Sequence, residues 1–182
     1  MNYMGEYYMA VTIRRYNDIK GYSDDFYKVC DFLIRINEKK AATPNYLWAR
    51  WVWQFGPYMS MAHLSHIGIA QDGDKIVGLA TYEGDVGEAY FCVDDEYNFL
   101  KWDLIEYAIK NLSANGKIRI TLPDGDLSYQ QAAIQKGFIA GKKKSEVARI
   151  DVDSFRNILP DGYRVMSFDN DEFENTCCCG KW

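Results

Sequence analysis

What this 182-residue chain lacks narrows its function before any motif is considered. No run approaches the ~20 apolar residues that a membrane-spanning helix needs. The amino-terminal MNYMGEYYMA has neither the basic region nor the apolar core of a secretory signal, so the chain is expected to stay in the cytoplasm. Positive charge is short as well: 21 Lys and Arg stand against 26 Asp and Glu, a formal net charge of −5. Nucleic-acid binders gain affinity by neutralising phosphates with an excess of Lys and Arg, so nucleic acid is not an expected partner. The one basic run, Lys142-Lys143-Lys144, reads as a solvated strand edge. The five cysteines form no spaced framework. Cys30 and Cys92 each sit alone in an apolar pattern and read as packed thiols, whereas Cys177, Cys178 and Cys179 are adjacent, which suits neither disulfides nor a metal site. A reducing compartment follows. His63 and His66 have an i, i+3 spacing but no third ligand near them in sequence, so no metal is expected.

What is present is a globular composition, 48% apolar and 26% charged, at a length that suits one well-buried domain. Tyr8 to Tyr16 alternates as a half-buried strand. Ser23 is placed to cap a helix with Asp24 and Asp25 in its first turn, and Phe26, Val29, Cys30, Leu33 and Ile34 form its apolar stripe. Tyr46 to Met59 is an aromatic-rich helix stopped at Gly56-Pro57. Leu47, Trp51 and Phe55 share its buried face, while Trp48 and Trp53 are free for a core, a substrate pocket or a partner. His66 to Ala70 and Lys75 to Tyr82 flank the hairpin signal Gln71-Asp72-Gly73-Asp74. Glu83 and Asp85 read as surface charges in the turn before a strand from Glu88 to Val93. Asn98 caps a helix whose buried face carries Leu100, Leu104, Ile105 and Ala108 and from which Lys101, Glu106 and Lys110 point away. Lys117 to Leu122 is a short strand, Ser128 to Lys136 a short helix, and Phe138 to Val152 supplies closing strands. This order predicts an α/β (α+β) fold, a mixed central sheet flanked by helices, across residues 1–153. Residues 154–182 read as a linker and the start of a further unit, because Tyr163 to Phe168 alternates like a first strand.

Three strings, taken with this order and spacing, resemble the GNAT acyltransferase superfamily over most of residues 9–150. Lys75-Ile76-Val77-Gly78-Leu79-Ala80 is similar to the family's third strand. Gly87-Glu88-Ala89-Tyr90-Phe91-Cys92-Val93 is similar to the fourth, whose splayed backbone receives the pantetheine arm of acetyl-CoA. Ala132-Ala133-Ile134-Gln135-Lys136-Gly137-Phe138 resembles the end of the last helix and its Gly-Phe entry into the next strand. The resemblance implies a GNAT-like acyl-CoA N-acyltransferase fold, acetyl-CoA as cosubstrate, and an amine of a small molecule or peptide as acceptor. It places Phe91, Cys92, Val93 and Asn98 against the cofactor. A base takes the amine proton, backbone N–H groups polarise the thioester carbonyl, and an acid protonates the leaving thiolate. Glu88 is the candidate base, with a solvated strand end as its alternative, and Tyr90 shares its face. The family commonly carries a Tyr one turn before the Gly-Phe; that position is Ala133 here, and Tyr129, one turn further back, is the candidate acid.

At the turn where the family has a basic, glycine-rich diphosphate site, this chain has Asp94-Asp95-Glu96-Tyr97-Asn98, with no Arg, Lys or Gly. Three carboxylates would face a dianionic group. A second function class therefore stays open: a GNAT-like module without catalysis, serving as one half of a tandem with a second GNAT-like domain. A third is a homodimer formed through the aromatic helix.

Overall fold

A computed structural model describes residues 11–17, 20–38, 42–142 and Asp161. The chain divides into two compact units, Met1–Ser145 and Glu146–Trp182, and every described element belongs to the first. The expected boundary at residue 153, the strand residues beyond 142, the segment 154–182 and the adjacent Cys177, Cys178 and Cys179 lie outside the described residues.

Among the described residues one mixed sheet runs in the order β1 (Thr12–Arg15), β2 (Gly68–Asp72), β3 (Lys75–Thr81), β4 (Glu88–Val93) and β5 (Arg119–Ile120). The first four strands are antiparallel, and β5 joins β4 in parallel. The helices are α1 (Asp24–Asn37), α2 (Trp48–Gln54), α3 (Lys101–Asn111) and α4 (Leu127–Gln135), with 3-10 segments at Met61–His66 and Asp95–Leu100. The β2–β3 hairpin closes over Gly73-Asp74, where Gly73 takes a φ of +57° that other residues rarely adopt.

Register sorts the sheet into two faces. Gly78 opposes Val93 and Ala80 opposes Phe91 on one face; Leu79 opposes Cys92 and Thr81 opposes Tyr90 on the other. On β2 and β3 the first face carries small residues, Gly68, Ala70, Gly78 and Ala80, so that α3 can lie close. Leu104 of α3 reaches within 3.3 Å of where a Cβ on Gly78 would stand, and the Tyr107 ring within 2.5 Å of one on Gly68. The second face meets the α1–α2 side, where the Cys92 thiol sits 3.8 Å from the Tyr46 carbonyl. Between α1, α2 and the sheet the core is aromatic: Trp51 stacks on Phe26 at 5.9 Å, and Phe55 meets both.

Ser23 caps α1 as the sequence predicts, accepting from the Phe26 amide, and also meets the Tyr16 hydroxyl at 3.0 Å. Beside it Arg14 grips both oxygens of Asp25 at 2.6 and 2.8 Å, tying β1 to α1. Trp51 and Phe55 are buried while Trp48 and Trp53 are about half exposed, matching the expected helical faces.

Several expectations need correction. Ile34 is exposed and Phe32 buried, because the buried stripe of α1 turns toward Phe32 after Val29. The aromatic helix spans only Trp48–Gln54. His66 ends a 3-10 segment, and the strand starts at Gly68. The last helix begins one residue early, capped by Asp126, which accepts from the Tyr129 amide. Residues 138–142 form no strand, and β5 is two residues long, because Lys117 folds back in a bridge with Ala114.

Gly68→Ala is expected to cost about 1–3 kcal/mol by forcing the Tyr107 ring aside. Urea denaturation of Gly68→Ala, Tyr107→Ala and the double variant checks it. The double variant should lose less than the sum, and simple additivity would show that the ring is not the obstacle.

Candidate functional site

Parallel pairing between β4 and β5 covers only Glu88 with Arg119 and Ala89 with Ile120. The carbonyls of Gly87 and Ala89 accept from Arg119 and Thr121 at 2.9 and 3.3 Å, and there the ladder ends. In a strand, alternate residues send their N–H and C=O to the same side. The pattern that turns Gly87 and Ala89 toward β5 therefore turns the backbone of Phe91 and Val93 into the space where the strands part. That space is a cleft of about 180 Å³. Its walls are Phe91 and Val93 on β4, Thr43 before α2, and Pro123 and Tyr129 on the far side; Asp95, Asn98, Lys101 and Asp126 also line it. It is smaller than a pocket for a drug-sized molecule and suits a slender chain.

Tyr129 is 3% exposed and packs its ring 5.4 Å from that of Phe91. Among the described residues its hydroxyl has no hydrogen-bond partner, whereas buried polar groups nearly always find one. Burial above all, with the Cys92 thiol and the Asp126 carboxylate adding, holds the phenol well above its ordinary pKa, so it stays protonated. A buried donor without an acceptor beside a cleft is suited to an acceptor on a ligand.

The remaining polar groups are organised by charge. Lys101, 9% exposed, gives two hydrogen bonds to Asp126 at 2.7 and 2.9 Å and one to Ser128 at 2.9 Å, and its ammonium lies 5.2 Å over the Tyr129 ring. Burial pushes the Asp126 carboxyl up, but hydrogen bonds from Lys101, the Tyr129 amide and Ser128 outweigh it and leave it below the ordinary 3.8. Asp94 is managed in the same way. Arg35 reaches it at 2.5 Å and Lys75 at 3.3 Å, and together with the Glu96 amide they overcome its burial and lower its pKa. Asp94 of the acidic turn is thus charge-compensated by residues distant in sequence.

The structure separates the residues the sequence singles out. Phe91, Val93, Asn98 and Tyr129 meet at the cleft. Cys92 does not line it: the thiol is fully buried on the opposite face, and desolvation pushes it up to about 12. Tyr90, on that face as well, joins a cluster in which Arg50 holds Glu83 through two contacts of 2.5 Å and reaches the Tyr90 hydroxyl at 3.2 Å. Glu83 is accordingly a partly buried ion-pair member rather than a surface charge. Glu88 lies at the paired end of β4, bound to Arg119 at 2.5 Å. Asn98 does not cap α3; its side chain turns back to the Asp95 carbonyl, and Asp94 caps the 3-10 segment instead.

Sequence reasoning misses Lys101, Asp126 and Thr43. The helical pattern puts Lys101 on the outer face, and a lysine at a helix start gives no sign of burial. The available signal is Asp126-Leu127-Ser128, an Asp placed to cap a helix and able to receive a lysine. His63 and His66 stand 5.3 Å apart, but each ring nitrogen Nδ1 has its own partner, Asp85 and the Asn111 carbonyl. Among the described residues no group of three or more His, Cys, Asp or Glu is placed to hold a metal, and no helix is long and apolar enough to cross a membrane.

No protein-family model matches the chain, and no curated protein matches it. Among solved structures, the crystal structure of a point mutant of TTHA1254 from Thermus thermophilus is similar over 77% of this chain and 98% of that one. The identity is 13% and the TM-score 0.43, a likeness that assigns neither family nor function.

Tyr129→Phe should leave stability unchanged or raise it by up to about 1–3 kcal/mol, because it deletes an unsatisfied buried group; a clear loss in thermal denaturation would reveal a missed partner. The Asp126 and Asp94 carboxyls are lowered in the fold, so their contribution is present above about pH 4 and lost as pH falls through the folded values. Asp126→Asn should therefore flatten the acid limb of the stability profile, and an unchanged limb would show that the Lys101 pair is not felt there.

Proposed function

We propose that this chain is a GNAT-type acyltransferase domain that takes acetyl-CoA or a related acyl thioester between β4 and β5 and passes the acetyl group to an amine of a small molecule or peptide. The observation that carries the reading is the end of β4–β5 pairing after Ala89, which leaves the backbone of Phe91 and Val93 open to a slender, amide-bearing chain. A pantetheine arm has that shape and those groups. In the reaction the amine nitrogen bonds to the thioester carbon, the C–S bond breaks, and the thiolate leaves. Tyr129, on the cleft wall beside Phe91, is the acid that returns a proton to the thiolate. Glu88 lies outside the cleft lining and is paired with Arg119, so as the base it would take the amine proton through a water rather than directly.

A second reading, a GNAT-like module without catalysis, is favoured by one specific observation. The candidate base is already bound to an arginine: Glu88 is held by Arg119 at 2.5 Å. On that reading the chain is a binding or structural half of a larger assembly.

Calorimetric titration with acetyl-CoA and an uncharged acyl thioester, followed by an amine acetylation assay, separates the two. The enzyme reading expects binding, turnover, and a kcat lowered roughly 100-fold or more by Tyr129→Phe with stability kept. Binding without turnover supports the module. Absence of binding by every acyl thioester removes both the donor site and the enzyme.

A further inference from the structure

The mouth of the cleft is already supplied with its own anions. We propose that the site selects an acyl thioester with no phosphate at the mouth, so that an uncharged pantetheine thioester is a better donor than acetyl-CoA. This rests on the acyl-thioester reading above and narrows its substrate class.

A phosphate would need N–H donors or a cation, and among the described residues the cations at the mouth are committed. Lysine has three ammonium donors, and Lys101 spends them on the two oxygens of Asp126 and on Ser128. Arg35 is bound to Asp94 and to the Ile76 carbonyl, and Lys75 lies against Asp94 and Glu96. Three backbone amides at the turn are taken as well. The Asp94 side chain accepts from Glu96 N–H at 3.4 Å, the Asp94 carbonyl accepts from Tyr97 N–H at 2.8 Å, and the Lys101 amide is taken by the Asn98 carbonyl. Asp95 lines the cleft, and Asp126 opposite it uses up the charge of Lys101, so an incoming phosphate meets a carboxylate and no spare cation among the described residues. On the cleft wall Tyr129, 3% exposed and with a hydroxyl that has no partner among the described residues, suits a neutral acceptor such as an acyl carbonyl. The cleft is therefore polar where a carbonyl belongs and anionic where a phosphate would stand.

Salt gives the two donors different signatures. Repulsion of a charged donor weakens as ions screen it, whereas an uncharged donor has little to screen. The experiment is calorimetric titration of the full chain with S-acetylpantetheine and with acetyl-CoA, each at low and moderate salt. The expected result is at least tenfold tighter binding of S-acetylpantetheine at low salt, with the gap narrowing as salt rises. Asp126→Asn frees Lys101 and should improve acetyl-CoA tenfold or more relative to S-acetylpantetheine. Asp95→Asn, at an exposed position, should move acetyl-CoA in the same direction and covers the case in which Asp126→Asn fails to fold. Tighter binding of acetyl-CoA than of S-acetylpantetheine by the unaltered chain overturns the selection and leaves the acyl-thioester reading standing. No binding of either donor overturns both.

Discussion

Among the described residues, β4 beyond Ala89 has a hydrogen-bonded neighbour on one side only, and the rest of the site depends on that half-paired stretch. On its paired side, the register from Gly78 with Val93 to Thr81 with Tyr90 holds β4 to β3. On the other side β5 stops at Ile120, and the chain passes through Pro123, which has no N–H to extend a ladder. Backbone groups left open in this way must be met by water or by a ligand. The small residues on the α3 face serve the same geometry. They let α3 settle against β2 and β3, which fixes where the chain re-enters as β5 and where α4 carries Tyr129 toward Phe91.

Charge at the cleft is arranged by pairing rather than by excess. Asp94 is answered by Arg35 from α1 and Lys75 from the hairpin, and Asp126 by Lys101 from α3. Each pair joins elements separated in sequence. Partly exposed pairs of this kind contribute modestly to stability, of order 0–1 kcal/mol each. Their larger effect is to commit these cations before a ligand arrives.

Much of the fold is legible in the sequence because periodic burial writes itself into local patterns. Ser23 with Asp24 and Asp25 marks the start of α1, Gly73 marks the hairpin, and Trp51 with Phe55 marks the buried face of α2. The order of elements follows from these. Where charged residues are misread, a distant partner decides. Glu83 looks like a turn charge until Arg50 is seen within 2.5 Å, and Lys101 looks solvated until Asp126 meets it. Asp94 looks like part of an acidic barrier until Arg35 reaches it. The site is half legible for the same reason. Phe91, Val93, Asn98 and Tyr129 can be named from position on an element, and the structure gathers them. Cys92 and Tyr90 alternate with Phe91 along one strand, and so they face the other side of the sheet.

The central claim is that the open side of β4 is where a ligand lies, and amide hydrogen exchange tests it most directly. With a saturating acyl thioester present, the amides of Phe91 and Val93 should exchange more slowly. Those of Glu106 and Lys110, on the outer side of α3, should not change. Exchange that is unchanged at Phe91 and Val93 while the ligand is demonstrably bound would place the binding site elsewhere and contradict the account.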